Sequence, residues 1–238
     1  MIARILDWLT APESWSGPDG LAARLGEHLL YSAIVVALAA LIAIPLGLWV
    51  GHSGRGRWLV SLANSLRAVP TLGLLFALTL WLAPHLGSDL AFTLPSLVVL
   101  VILAVPPILS GAYAGVEAVD PAALDAARGM GMRPPAVLRT VELPIALPLL
   151  FSGLRSAALQ VIATATVAAY VGLGGLGRFL IDGLAAGDYA VTAGGALVVA
   201  LLALAVDQVL GLVERTVVSP GLRTRHSGLL RFRRATTS

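Results

Sequence analysis

Five long stretches of the 238-residue chain contain no charged residue and are dominated by apolar side chains. They are Leu29–Val50, Ala68–Ser88, Leu90–Val116, Ser156–Gly177 and Tyr189–Val206. A helix needs about 20 apolar residues to cross a bilayer. The pattern therefore predicts an all-α, polytopic membrane protein with about five transmembrane helices.

The ends of two predicted helices differ from these charge-free stretches. The second begins near Leu59, and the fourth begins near Ile145 and crosses Arg155. The fourth ends near Tyr170, because the run Gly172–Gly177 is too rich in glycine to remain helical. Prolines at positions 70, 106 and 107 are expected to kink or break the second and third helices.

The distribution of arginine predicts the orientation, because cytoplasmic loops carry an excess of basic residues. One side of the membrane would carry Arg55, Arg57, Arg128, Arg133, Arg139, Arg215, Arg223, Arg225, Arg231, Arg233 and Arg234. The other side would carry Arg4, Arg24 and Arg178. We therefore expect a multi-pass protein of the cell membrane, with the N-terminus outside and the C-terminus in the cytoplasm.

The predicted membrane helices divide the chain into three segments. Residues 1–27 form an external segment, in which acidic residues exclude a signal peptide. Apolar residues at helical spacing predict a short amphipathic helix there, at Ile2, Ile5, Leu6 and Leu9. Residues 28–216 form the transmembrane domain. Residues 217–238 form a basic tail, which is expected to contact anionic membrane lipid and not nucleic acid.

Composition excludes most catalytic functions. The chain is 58% hydrophobic and 12% charged, with a mean hydropathy of +0.89, whereas a soluble domain is about 25% charged. It has no cysteine, and all sixteen basic residues are arginine, so a phosphate-binding loop with lysine is impossible. We expect a non-catalytic chain with no cofactor and no metal site of its own.

The polar segment between Glu117 and Pro144 interrupts this apolar pattern. Asp120-Pro121 is typical of a helix start, and Gly129 and Gly131 are expected to end that helix. Pro134-Pro135 predicts a second short helix over 136–143, with a bend at Pro144. The first helix is rich in alanine, which would let a partner protein approach its backbone closely.

This segment resembles the cytoplasmic loop of importer-type ABC permeases. That loop has Glu-Ala-Ala, three residues, Gly, nine residues and Ile-x-Leu-Pro, and the chain has Asp125-Ala126-Ala127, Gly131 and Val141-Glu142-Leu143-Pro144 at the same spacing. Asp125 and Val141 are conservative departures from the pattern.

Further runs resemble the osmoprotectant subfamily, whose solutes are glycine betaine, carnitine, choline and proline betaine. They are residues 67–75, 120–132, 141–148 and 172–177. The similarity covers roughly residues 25 to 216, and it implies a transmembrane permease subunit of an ATP-driven importer. Implied partners are a cytoplasmic ATPase dimer that uses ATP and Mg, a second permease subunit (a related chain or a second copy) and an external solute-binding protein.

The resemblance also implies which residues couple transport to the ATPase. They are Ala122, Ala123, Asp125, Ala126, Ala127, Arg128 and Gly131. Asp125 either caps the helix or pairs with a basic group of the ATPase, or else it is simply solvated. Gly131 is expected to provide the turn.

Polar residues inside the predicted helices are candidates for the translocation path, because polar groups are costly in a membrane. They are Asn64, Thr71, Tyr113, Gln160, Thr164 and Tyr170. The alternatives are hydroxyl bonds to the helix backbone, contacts between helices and tyrosines at the membrane surface. With only 6% aromatic residues, a complete aromatic cage for a quaternary ammonium group is not expected.

Arg155 and Asp207 are expected at similar depth, about 12–16 Å from the cytoplasmic ends of the fourth and fifth helices. They could form a buried ion pair, or each could extend to headgroups or water.

Other functions are also open. The same architecture could import methionine, a phosphonate or a sulfonate. A membrane-embedded enzyme is disfavoured, because all four histidines lie at helix ends or in loops, and a scaffold would not need the patterned loop.

Overall fold

The computed structural model of the protein describes residues 1–87 and 90–222. Within these two ranges the regular structure is helical and contains no strand, which confirms the predicted all-α fold. The predicted basic tail lies outside the described residues from residue 223 onward.

Eleven α-helices follow one another in the described part of the chain. They are α1 (Ile2–Thr10), α2 (Pro12–Trp15), α3 (Leu21–Ser53), α4 (Arg57–Ser65), α5 (Thr71–Leu82), α6 (Thr93–Glu117), α7 (Pro121–Gly129), α8 (Pro134–Val137), α9 (Leu143–Ala168), α10 (Gly177–Ala185) and α11 (Tyr189–Val217). Short 3-10 turns extend several of them, and a π-helical turn, Leu138–Glu142, joins α8 to α9.

Four continuous helical segments of the described chain are long and apolar enough to cross a membrane. They are Leu21–Ser53, Thr93–Glu117, Pro134–Val171 and Tyr189–Val217. A fifth crossing is possible only if the bent pair Arg57–Ala68 and Thr71–His85 forms one span. Four to five crossings agree with the predicted architecture.

The second predicted helix is not continuous. Its two halves meet at an angle of 94°, and Pro70 lies at the break, immediately before α5. Proline has no N–H to donate and forces the preceding residue out of the helical region, and Val69 is accordingly extended. The expected break at Pro70 is therefore present, and the first half of the bent pair begins at Arg57, two residues before the predicted start near Leu59.

Pro106 and Pro107, in contrast to Pro70, do not interrupt their helix. Both are buried inside α6, which remains one helix from Thr93 to Glu117, so a break at this position is absent. Helices α3 and α9 pack along α6 on both sides, and this packing supports the helix where the two prolines remove backbone hydrogen bonds.

The three central helices approach each other closely because glycine and alanine line their contacts. A Cβ atom added to Gly47 of α3 would lie 2.7 Å from the Ala112 Cβ of α6. On the other side of α6, a Cβ on Gly153 would lie 2.5 Å from the Pro107 carbonyl oxygen and 3.2 Å from the Gly111 Cα. Small residues are the usual means of close packing between membrane helices.

The segment before α9 differs from its prediction. A separate short helix over 136–143 is wrong, because the chain runs as one helical segment from Pro134 to Val171. The π-helical turn Leu138–Glu142 immediately precedes Pro144. Its wider turn rearranges the hydrogen bonds at the point where the proline lacks a donor.

The N-terminal segment contains the predicted amphipathic helix, α1, which packs against α11 through Trp8. The Trp8 ring meets Phe179 edge-on at 5.3 Å and leaves no room for a side chain at Gly194. The predicted boundary after residue 27 falls inside α3, which begins at Leu21. Helix α10, which packs against α11, was missed because the glycine run before it predicts a loop.

Candidate coupling and translocation sites

Helix α7 has the local structure that its sequence predicts. The Asp120 carboxylate accepts a hydrogen bond of 2.9 Å from the Ala122 N–H and so caps the first turn. At the other end Gly131 has φ of +82°, and the Met132 N–H donates to the Ala127 carbonyl at 3.2 Å. A left-handed glycine with this hydrogen bond is a common helix end, so Gly131 provides the expected turn.

The predicted coupling residues do not share one face of α7. Ala122, Asp125, Ala126 and Arg128 are exposed, Ala123 is half-buried, and Ala127 is buried against the rest of the protein. Ala127 therefore anchors the helix instead of meeting a partner. Asp125 lies 3.5 Å from Arg128 on the same helix, and both side chains extend into solvent.

Two side-chain contacts hold the ends of the loop that carries α7. Glu142, which is only 2% exposed, places a carboxylate oxygen 2.6 Å from Nδ1 of His52 at the end of α3. Arg57 at the start of α4 lies 2.9 Å from the Glu117 carboxylate at the end of α6. His52 and Glu142 are 90 residues apart and share no local pattern, so their contact was not predicted from the sequence.

The structure brings Arg155 and Asp207 together. Arg155 Nε and Nη2 donate to the two Asp207 carboxylate oxygens, each at 2.9 Å. Glu214, which the sequence analysis did not select, accepts a third hydrogen bond from Arg155 Nη1 at 3.2 Å. The pair is half-buried and not buried, because the side chains of Arg155 and Asp207 are 35% and 21% exposed.

The six candidate path residues lie on several different helical segments. The Gln160 amide donates to the Leu103 carbonyl at 3.2 Å and links α9 to α6. The Thr164 hydroxyl donates at 2.7 Å to the carbonyl of Gln160 in its own helix. These two contacts match the alternatives of helix linkage and backbone bonding.

The other four candidates lie at separate positions. Asn64 accepts a hydrogen bond of 3.1 Å from Ser110 and links α4 to α6. Thr71 is the first residue of α5, and Tyr113 packs against the main hydrophobic core. Tyr170 lines a cavity at the end of the bundle opposite α7.

A second polar cluster fixes the glycine run at that opposite end. Glu27 accepts hydrogen bonds of 2.8 Å from Arg24 and from the backbone N–H of Gly175. A Cβ atom at Gly174 would lie 2.5 Å from the same carboxylate. Close approach of this carboxylate therefore requires glycine at position 174. The sequence analysis recognised the glycines but not Glu27 as their partner.

The chain is similar to curated bacterial transport proteins over most of its length. It is 33% identical to the glycine betaine/carnitine/choline transport system permease protein OpuCB of Bacillus subtilis (strain 168), covering 84% of this chain and 89% of that protein. It is 36% identical to the carnitine transport permease protein OpuCD of Listeria monocytogenes serotype 1/2a (strain 10403S), over 80% and 83% of the two chains. It is 32% identical to the osmoprotectant import permease protein OsmW of Salmonella typhimurium (strain LT2), over 85% and 94%.

The fold is also that of a solved importer. A chain of the MetNI methionine ABC transporter in an inward-facing conformation superposes with a TM-score of 0.71, at 21% identity, over 84% of this chain and 96% of that one. Residues 43–219 match the family described as binding-protein-dependent transport system inner membrane component. These matches confirm the resemblance seen in the sequence, and the chain belongs to the family of binding-protein-dependent transport system inner membrane components.

Proposed function

We propose that this chain is the transmembrane permease subunit of an ATP-driven importer for a compatible solute, namely glycine betaine, choline, carnitine or proline betaine. The observation that carries the proposal is the identity of 32–36% to permeases with these solutes in their names, over four-fifths or more of the chain. The likeness to the methionine transporter, at 21% identity, supports the fold and does not bear on the solute.

In this proposal α7 transmits the energy of ATP hydrolysis. The chain is not itself an ATPase, and a cytoplasmic ATPase dimer binds ATP and Mg. The exposed face of α7, with Ala122, Asp125 and Ala126, meets the ATPase, while Ala127 and the two side-chain contacts at the loop ends hold the helix to the membrane domain. A helix attached in this way moves with the bundle when the ATPase moves.

The proposed complex contains two further components. A second permease subunit, either a related chain or a second copy, completes the pathway, and an external binding protein delivers the solute. The arginine distribution supports an external N-terminus and a cytoplasmic C-terminus. The coupling helix is then cytoplasmic, and the glycine run at 172–177 faces outward.

The test is uptake by the complete complex in proteoliposomes, with labelled glycine betaine, choline and proline, and with labelled methionine as the competing solute class. We expect uptake of glycine betaine or choline only with hydrolysable ATP. ATP-driven uptake of methionine without uptake of either quaternary ammonium compound would overturn the proposed solute class. Absence of a co-purifying ATPase subunit would overturn the importer itself.

A further inference from the structure

A cavity of about 390 Å³ lies at the end of the bundle opposite α7. Its volume falls in the range of about 300–1,000 Å³ that is typical of small-molecule sites. The residues that give it chemical character are Phe76, Thr79, Phe92, Tyr170, Gly172 and Arg178. They come from α5, the start of α6, the end of the fourth membrane helix and α10, so the cavity exists only in the folded bundle.

Three aromatic rings line one cavity in a chain that has few aromatic residues. Phe76, Phe92 and Tyr170 all line the cavity, and they are 46%, 49% and 52% exposed. The position of Phe92 depends on Gly172, because a Cβ atom there would lie 3.3 Å from Cβ and Cγ of Phe92. Aromatic faces attract quaternary ammonium groups.

Arg178 gives the cavity an anion-binding group. Its Nη2 lies 2.7 Å from the Asp182 carboxylate, and its Nη1 donates to the Ala169 carbonyl at 3.4 Å. These two contacts fix the guanidinium plane and leave further N–H donors for a carboxylate. Asp182 also offsets the arginine charge, so a cation can occupy the aromatic side of the same cavity.

We propose that this cavity binds a zwitterionic quaternary ammonium solute, with its ammonium group against Phe76, Phe92 and Tyr170 and its carboxylate on Arg178. This inference rests on the proposed function and locates a binding site for its solute within this chain. It predicts discrimination between glycine betaine and choline, because both carry a trimethylammonium group but only glycine betaine carries a carboxylate.

The experiment measures binding to the permease–ATPase complex in nanodiscs, without the binding protein, by saturation-transfer NMR on the N-methyl protons. Arg178→Gln should weaken glycine betaine binding by about tenfold and leave choline within about twofold. Phe76→Leu should weaken both solutes by about three- to tenfold. Trp81→Leu is the matched control, because Trp81 is an exposed aromatic residue of the same helix outside the cavity, and it should leave both unchanged.

Different results would overturn the proposed binding site and the proposed function. If the complete importer transports glycine betaine and choline but the nanodisc complex shows no saturation transfer, or Arg178→Gln affects both solutes equally, this site is wrong and the proposed function stands. If the complete importer transports neither solute, the proposed function fails and this inference fails with it.

Discussion

Arg155 donates hydrogen bonds of 2.9 Å from Nε and Nη2 to the two carboxylate oxygens of Asp207, and this residue pair links α9 to α11. This arrangement matters for the architecture because α11 contributes few buried residues to the bundle. Only 6% of the most apolar 18-residue stretch of α11 is buried. Glu214 adds a third, longer bond to the same guanidinium. The cluster is therefore a principal polar link between these two helices.

Removing either partner of this ion pair should destabilise the protein. We expect Arg155→Ala and Asp207→Ala each to lower the free energy of unfolding by about 1–3 kcal/mol, since the first leaves Asp207 without its cation and the second leaves Arg155 with only the longer bond to Glu214. Partial exposure to solvent favours the lower end of that range. Denaturant unfolding in mixed micelles measures both.

The double variant tests whether the two residues act as a pair. It should be no less stable than the worse single variant, because the second substitution removes a charge that has already lost its partner. Glu214→Ala serves as the comparison and should cost less than Asp207→Ala, because Glu214 accepts one longer bond instead of two short ones. Strictly additive losses would show that Arg155 and Asp207 are independent.

Gly131 should be essential for coupling because its backbone is left-handed. In Gly131→Val nothing lies within 4 Å of the added Cβ, but a branched residue is placed at φ of +82°, at a cost of about 1–2 kcal/mol. We expect the loop to change shape, so that ATP hydrolysis continues without uptake while membrane insertion is normal.

Gly129→Ala is the matched control for this prediction. The position is also open in space, and it lies in the last turn of α7 with no left-handed φ, so alanine should retain coupling. The ratio of solute transported to ATP hydrolysed in the same vesicles measures the effect. Full coupling in Gly131→Val would contradict the role assigned to the turn.

The contact between α7 and an ATPase can be mapped directly, because the chain contains no cysteine. Ala126→Cys introduces a single thiol on the exposed face of α7, to which a photoactivatable maleimide can be attached. Illumination of the complex should cross-link this chain to the ATPase subunit. Leu184→Cys, an exposed position on α10, should not give this product, and equal cross-linking from both positions would contradict the proposed docking face.

Gly153 should tolerate no side chain, because α6 and α9 touch there. A Cβ atom would lie 2.5 Å from the Pro107 carbonyl oxygen, so Gly153→Ala should cost about 1–3 kcal/mol through overpacking and lower the thermal unfolding midpoint. Gly26→Ala in α3 has nothing within 4 Å and should be neutral or slightly stabilising. Equal midpoints for the two variants would contradict the close packing of these helices.

Local patterns in the sequence were sufficient to predict the membrane helices and the position of α7 in the coupling loop. The length of an apolar stretch predicts a membrane-spanning helix, and Asp120-Pro121 and Gly131 predict the two ends of α7. Each of these signals acts over a few residues. The bend at Pro70 was expected, but not its size, since the packing of α5 against α6 sets the angle. The helicity of α10 was hidden by the glycines that precede it.

Contacts between residues far apart in the sequence were harder to predict. Glu142 and His52 are 90 residues apart, and Glu27 and Gly175 are 148 apart, so no periodicity connects them. Arg155 and Asp207 could be assigned a similar depth, because both positions can be counted from helix ends, but their pairing was left open and Glu214 was not selected. The cavity around Arg178 draws on four segments, and only Tyr170 among its lining residues was selected from the sequence.

The central claim is that this chain forms the membrane pathway of an ATP-driven importer for quaternary ammonium solutes. The most direct measurement is accumulation of labelled glycine betaine in proteoliposomes that contain this chain, its partner permease and the ATPase, with the binding protein on the solute side. The account predicts accumulation above the external concentration only when ATP and the binding protein are both present. Accumulation that persists without ATP, or its absence for every quaternary ammonium solute under these conditions, would contradict it.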